Sequence, residues 1–130
     1  MKRAICILLQ LTLILSGCAA RKSGEQSYRQ ITMQEAVDMM EREENYIILD
    51  VRTEPEYQAG HIPGAILLPN ESIGAGEPPQ LPDRDQLILV YCRSGNRSKQ
   101  ASGKLAELGY TNIVEIGGIN DWTGDTVSEP

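Results

Sequence analysis

The stretch from Gln86 through Leu87-Ile88-Leu89-Val90 to Tyr91 is almost wholly apolar, has the length of a strand, and leads directly into Cys92. A strand that alternated apolar and polar residues would bury one face. An unbroken apolar run instead suits a strand covered on both faces, as in a parallel sheet. Tyr46-Ile47-Ile48-Leu49-Asp50-Val51 reads the same way, and Ala65-Ile66-Leu67-Leu68 and Ile113-Val114-Glu115-Ile116 are shorter runs of the same kind.

Helical patterns fall between these runs. Thr32 and Glu35 have capping-box spacing, and Met33, Ala36, Val37 and Met40 recur at i, i+3, i+4 and i+7. Thr53-Glu54-Pro55-Glu56 can cap a short second helix. A third is predicted from about Arg97 to Leu108, with Ala101, Leu105 and Leu108 on one face and Gly109 as its stop. Gly60 to Gly64 forms a turn, residues 69–85 are rich in Pro and Gly and read as loop, and Gly117-Gly118 opens a terminal turn or short helix holding Trp122. Strands alternating with helices predict an α/β fold with a central parallel sheet and helices on both faces. Ligands of such sheets bind beyond the carboxyl ends of the strands, where Cys92 falls.

At 130 residues there is room for one domain. The chain has no Phe and one Trp, so its core must be mainly aliphatic. A net charge of −6 argues against nucleic acid as a partner. An acidic chain that takes a small anion has to concentrate positive charge locally.

The amino terminus reads as a targeting segment. Met1-Lys2-Arg3 is basic, residues 4–15 are apolar but shorter than a membrane span, and Leu15-Ser16-Gly17-Cys18 follows. This order resembles a bacterial lipobox. It implies a signal peptide over 1–17, a lipid on Cys18, a tether over 18–28 and the folded domain over 29–126. Such a protein is anchored by lipid to the cell membrane or outer membrane, outside the cytoplasm. Cys6 leaves with the signal peptide and Cys18 is blocked, so Cys92 is expected to be the free thiol. Loss of Lys2 and Arg3 takes the formal charge from −6 to −8.

The loop Cys92-Arg93-Ser94-Gly95-Asn96-Arg97-Ser98 holds the chemistry. It joins a buried strand to a helix amino terminus, so free backbone N–H groups converge on one small space. The helix dipole adds positive potential, Arg93 and Arg97 can add full charges, and Gly95 allows a tight turn. All of these favour a thiolate. Lowering a cysteine pKa from about 8.5 by two takes about 2.7 kcal/mol. A helix terminus supplies up to about 2 kcal/mol of that.

This loop resembles the active-site loop of single-domain rhodaneses. Leu49-Asp50-Val51-Arg52 resembles that family's first signature, and Glu56-Tyr57-Gln58-Ala59-Gly60-His61-Ile62-Pro63-Gly64-Ala65 its second. Gly117-Gly118-Ile119-Asn120-Asp121-Trp122 resembles its closing segment, so the likeness runs from about Ile31 to Trp122. The resemblance implies a rhodanese-like fold and a sulfurtransferase reaction in two steps. The Cys92 thiolate takes the outer sulfur of a donor such as thiosulfate, giving a persulfide, and a thiol or cyanide acceptor removes it. Neither metal nor cofactor is expected, and the protein is expected to be a monomer.

Arg93 and Arg97 are candidates for steering an anionic donor. Arg97 could equally make an ion pair that holds the loop. Asp50 and Arg52 lie near the expected site, where they are read as forming a buried ion pair or capping the next turn, with Glu56 as second partner for Arg52. His61 is read as supporting its turn and Trp122 as filling the core. Two alternatives remain: a non-catalytic module that uses the fold for binding, and a cysteine-loop phosphatase or arsenate reductase. The latter resemble His-Cys-x5-Arg, whereas here four residues separate Cys92 from Arg97 and Tyr91 replaces the His. A disulfide oxidoreductase would need a Cys-x-x-Cys pair that the sequence lacks.

Overall fold

The computed structural model describes residues 27–128. The segment read as a signal peptide, Cys18 as the expected lipidation site and most of the expected tether lie outside these residues. The described chain runs β1 (Arg29–Gln30), α1 (Met33–Arg42), β2 (Tyr46–Asp50), α2 (Glu54–Ala59), β3 (Ile66–Leu67), β4 (Leu87–Cys92), α3 (Asn96–Glu107) and β5 (Ile113–Gly118), with single 3-10 turns at Asn70–Ser72 and Ile119–Asp121. The strands form one sheet in the order β1-β5-β4-β2-β3, and every pairing is parallel.

The apolar runs are buried on both faces, as their pattern predicts. Ile88, Val90 and Cys92 of β4 point to one side, with Leu49, Val51 and Ile113 and the α3 residues Ala101 and Leu105. Leu89 and Tyr91 point to the other, with Ile48, Val114, Ile116 and the α1 residues Met33 and Ala36. Thus α1 and α3 cover opposite faces. Both α1 and α2 start on capping boxes. The Thr32 hydroxyl accepts from Glu35 N–H at 3.1 Å and Glu35 accepts from Thr32 N–H at 3.4 Å, and Thr53 and Glu56 repeat the arrangement. Helix α3 ends on Gly109 at φ +97°, where the N–H groups of Gly109 and Tyr110 satisfy the carbonyls of Ala106 and Leu105.

Three boundaries differ from the sequence reading. Strand β1 has no counterpart in the sequence pattern: two exposed polar residues carry no apolar pattern, and only pairing with Val114 and Glu115 defines them. Helix α3 begins at Asn96, because Gly95 at φ +111° is its cap. Gly117 and Gly118 belong to β5 and not to a turn, since Gly118 pairs with Cys92 across an irregularity in the β4–β5 register.

Candidate active site around Cys92

Cys92 is the last residue of the central strand, at the carboxyl end of the sheet, and its side chain is buried. Among the described residues it is the free cysteine. The chain turns over it at once. Gly95 N–H donates to Cys92 Sγ at 3.0 Å, and Sγ lies 3.4 Å from Ser98 Oγ. Burial by itself pushes the thiol up. The Ser98 hydroxyl and the N–H groups of Ser98, Gly95 and Ser94 outweigh it, so Cys92 lies below its ordinary value. The stabilisation comes chiefly from the loop's own donors, as expected at a helix start, and less from the two arginines.

The closing strand fits around this loop. A Cβ on Gly118 would collide with the Arg93 carbonyl and approach Ser94 Cα within 2.7 Å. That close approach explains a glycine at 118, and Asn120 N–H then caps the Arg93 carbonyl at 3.2 Å. The side chains of Arg93, Ser94 and Asn96 are exposed. Arg93 lines a cavity of about 300 Å³ with Arg52, Glu56, Gly60 and Asn120. A larger cavity of about 520 Å³ lies at the amino ends of the strands, by Asn45, Gln86 and Asn112, away from Cys92.

Arg97 does not stand free. Its Nη1 and Nη2 donate to the two Glu56 carboxylate oxygens at 2.7 and 3.0 Å, tying α2 to the loop. Of the two readings open for Arg97, the ion pair is the one observed. This corrects the expectation that Glu56 is the second partner of Arg52. Arg52 Nη2 instead reaches the Gly60 carbonyl at 2.7 Å, while the Thr53 cap turns Glu56 toward Arg97.

The Arg97 hydrogen bonds, aided by Thr53, hold the Glu56 carboxyl at about 2, below its ordinary 4.5. A depressed carboxyl stabilises the fold above its unfolded value and loses that contribution as pH falls from about 4.5 to about 2. Both side chains are 29% exposed, so screening leaves on the order of 1 kcal/mol. Glu56→Gln is therefore expected to lower the Tm at pH 6 by a few degrees. It should also flatten the fall in Tm between pH 5 and pH 2. An unchanged acid limb in thermal melts would show that the pair contributes nothing.

Asp50 and Arg52 form the expected buried pair, with Nε donating to Oδ1 at 3.0 Å and Nη2 to Oδ2 at 2.7 Å. Tyr91 hydroxyl adds a third side-chain donor to Asp50 at 2.7 Å and itself accepts from Ile62 N–H at 3.2 Å. Burial, then the Asp50 carboxylate, raises Tyr91 well above an ordinary phenol. This network joins β2, β4 and the turn after α2. Its Arg52 also lines the cavity that Arg93 borders. His61 is buried in that turn, stacked on Tyr57 at 3.7 Å with Nδ1 2.8 Å from the Tyr57 carbonyl, which fits the supporting role. Trp122 is half-buried against the α1 side of the core, its Nε1 donating to the Asp125 carbonyl at 3.0 Å.

One residue escaped the sequence reading. Glu115, in the middle of β5, is only 3% exposed. Its Oε1 accepts from Ser98 Oγ at 2.6 Å and from Gly117 N–H at 2.9 Å. The available signal was a carboxylate inside an otherwise apolar strand run. Among the described residues, no group of three or more His, Cys, Asp or Glu side chains could hold a metal ion.

Comparison with known proteins agrees with this geometry. Residues 32–125 match the model of the rhodanese-like domain. The chain is 37% identical over 73 residues to the thiosulfate sulfurtransferase PspE of Escherichia coli, covering 56% of this chain and 70% of that protein. It is 39% identical over 80 residues to a sulfurtransferase of Allochromatium vinosum, covering 61% of this chain and 73% of that protein. A solved rhodanese with anions from E. coli superposes with a TM-score of 0.59 at 33% identity, over 65% of this chain and 99% of that one. Against the longer adenylyltransferase and sulfurtransferase UBA4 of Candida albicans, the chain spans only 22% of the relative's length. With the family model matched over most of its length, the chain belongs to the rhodanese-like family.

Proposed function

We propose that this protein transfers sulfane sulfur through a persulfide on Cys92, from an anionic donor such as thiosulfate to cyanide or a thiol. The observation that supports this most is the Cys92 sulfur held under the loop N–H groups, with its thiol lowered despite burial. In the first step the thiolate attacks the outer sulfur of thiosulfate. A new S–S bond forms, the old one breaks, and sulfite leaves with its electron pair. In the second step the cyanide carbon attacks the outer persulfide sulfur. Thiocyanate leaves and the thiolate is restored. Fixed N–H donors suit a negative sulfur in both steps, because they need no rearrangement as charge moves. Exposed Arg93 at the loop mouth supports attraction of the donor. The E. coli relatives' names, with thiosulfate and anions in them, favour the same donor class.

A phosphatase is disfavoured by Arg97, whose guanidinium is already engaged by Glu56. The deciding assay offers thiosulfate with cyanide, and separately an aryl phosphate. Thiocyanate formation without phosphate release is expected. Phosphate release alone would reverse the assignment, and no persulfide on Cys92 after donor treatment would make the domain a binding module.

The Leu15-Ser16-Gly17-Cys18 pattern supports a lipid anchor on Cys18, and with it a location at the outer face of a cell membrane or at an outer membrane. Mass analysis of the mature amino-terminal peptide checks it. An unmodified Cys18, or an intact Met1, refutes it.

A further inference from the structure

The guanidinium of Arg52 carries N–H donors on three nitrogens. Nε and Nη2 donate to Asp50, and Nη2 also to the Gly60 carbonyl. Nη1 has no hydrogen-bond partner among the described residues, and it is not wholly enclosed. Arg52 is only 6% exposed, and it lines the cavity of about 300 Å³ that Arg93 borders. A nearly buried guanidinium with one arm unpaired calls for an acceptor on that side.

The charges around this cavity leave a surplus of one kind. Arg52 is balanced by Asp50, and Glu56 by Arg97. Arg93 is exposed, and its side chain has no partner among the described residues. One positive charge is therefore left over, in a chain whose net charge is −6. Two guanidinium groups on one cavity suit a carboxylate, whose oxygens accept from planar N–H donors. The rest of the lining is of a different kind. Ile119 and Ala59 offer apolar surface, and Asn120 an amide. Cyanide and thiosulfate have no carbon chain to lay on Ile119, and either would fill a small part of the volume. Organic ligands take pockets from about 300 Å³ upward.

We infer that this cavity receives the sulfur acceptor, and that the acceptor is a small organic thiol carrying a carboxylate. Arg52 Nη1 and the Arg93 guanidinium hold the carboxylate, and Ile119 carries the chain. The cavity adjoins the reactive loop. Arg93 follows Cys92 directly, and Asn120, whose N–H caps the Arg93 carbonyl at 3.2 Å, lines the same cavity. The acceptor thiol attacks the outer sulfur of the Cys92 persulfide anion. An S–S bond forms to the acceptor as the bond to Sγ breaks. The electron pair goes to Sγ, restoring the thiolate under Gly95 N–H. The acceptor leaves as its own persulfide and keeps the thiol proton. This role rests on the proposed Cys92 persulfide, but the site does not.

The site is therefore tested without sulfur transfer. The probes are 3-mercaptopropionate and 3-mercapto-1-propanol, which share the chain and the thiol and differ in the carboxylate. Each is titrated into the reduced, unloaded protein at pH 7 while N–H signals are followed by NMR. The carboxylate thiol is expected to shift the Asn120 side-chain amide and the Arg93 signals to saturation. The alcohol should need about tenfold more for the same shift, the loss expected for one charged hydrogen bond. Arg93→Gln should weaken the carboxylate thiol about tenfold. Arg52→Lys keeps a cation for Asp50 without the second arm, and should weaken it similarly. If Arg52→Lys does not fold, Arg93→Gln decides. Equal binding of the two thiols overturns the inference, as does the absence of shifts at Arg93 and Asn120. Thiosulfate shifting the same signals at lower concentration would assign the cavity to the donor, and overturns it too.

In protein loaded from thiosulfate, Arg93→Gln should raise the KM for 3-mercaptopropionate about tenfold and leave that for the alcohol nearly unchanged. Both thiols unload the same persulfide, so any change in loading cancels in their ratio. An unchanged ratio overturns the inference. A protein that binds the carboxylate thiol but transfers no sulfur keeps the site and refutes the proposed function. One that makes thiocyanate and binds both thiols alike does the reverse.

Discussion

Cys92→Ser is expected to lower thiocyanate formation by about 10⁴-fold or more, the scale seen when a covalent nucleophile is removed. Three effects act together. A serine hydroxyl is neutral at pH 7, so the loop N–H groups find no anion to stabilise. The C–O bond is shorter than C–S, which draws the reacting atom away from Gly95 N–H, now 3.0 Å from Sγ. A sulfur–oxygen adduct is also a poorer carrier than a persulfide. The fold should tolerate the change, because Ser98 Oγ and Gly95 N–H can both hydrogen-bond the new hydroxyl. The measurement is the thiosulfate–cyanide rate beside a thermal melt and the intact mass after donor treatment. Native-like melting, no gain of a sulfur atom and no turnover are expected together. Activity within tenfold of the native protein would remove Cys92 from the reaction.

The largest loss of stability is expected from Asp50→Ala. Asp50 is fully buried and receives Arg52 N–H at 3.0 Å, two Arg52 side-chain nitrogens and the Tyr91 hydroxyl. Its removal leaves a buried guanidinium and a buried phenol short of their main acceptor. Breaking a buried pair from one side costs roughly 3–5 kcal/mol. That is a large part of the stability of a domain this size. The loss should appear as a fall in the denaturation midpoint with little change in its slope. Replacing both partners by apolar residues should cost much less, since the stranded charge is then gone. If Asp50→Ala costs under about 1 kcal/mol, solvent reaches the pair and the network does not hold the turn after α2.

Much of this structure is readable in the chain before any coordinates. The largely apolar runs at 46–51 and 86–91 mark strands covered on both faces, because a strand covered on one face would alternate apolar and polar residues. Thr32 with Glu35, and Gly109 after Leu108, mark helix ends because each satisfies a specific orphan backbone group. The parts that escaped depend on partners far along the chain. Glu56 offers Arg52 a neighbour four residues away, yet it pairs with Arg97, because α2 is turned by its own cap and Arg52 is consumed by Asp50 and Gly60. Glu115 reads locally as one polar residue in a strand. Only the packing of α3 against β5 brings Ser98 and the Cys92 loop to it. Strand β1 has no pattern of its own and exists because β5 lends it an edge.

The parallel sheet also dictates the order in which the molecule can be completed. Among the described residues no pair of strands is joined by a hairpin, so every ladder waits for a distant segment. Arg29, in the first strand, pairs with Val114, in the last. Central β4 gains its second neighbour only when β5 arrives. A nascent chain halted before Ile113 therefore has an open sheet edge, no Gly118 beside Cys92, and no Glu115 beneath Ser98. Assembly of the reactive loop waits for β5, and folding should be slow for a domain of this size.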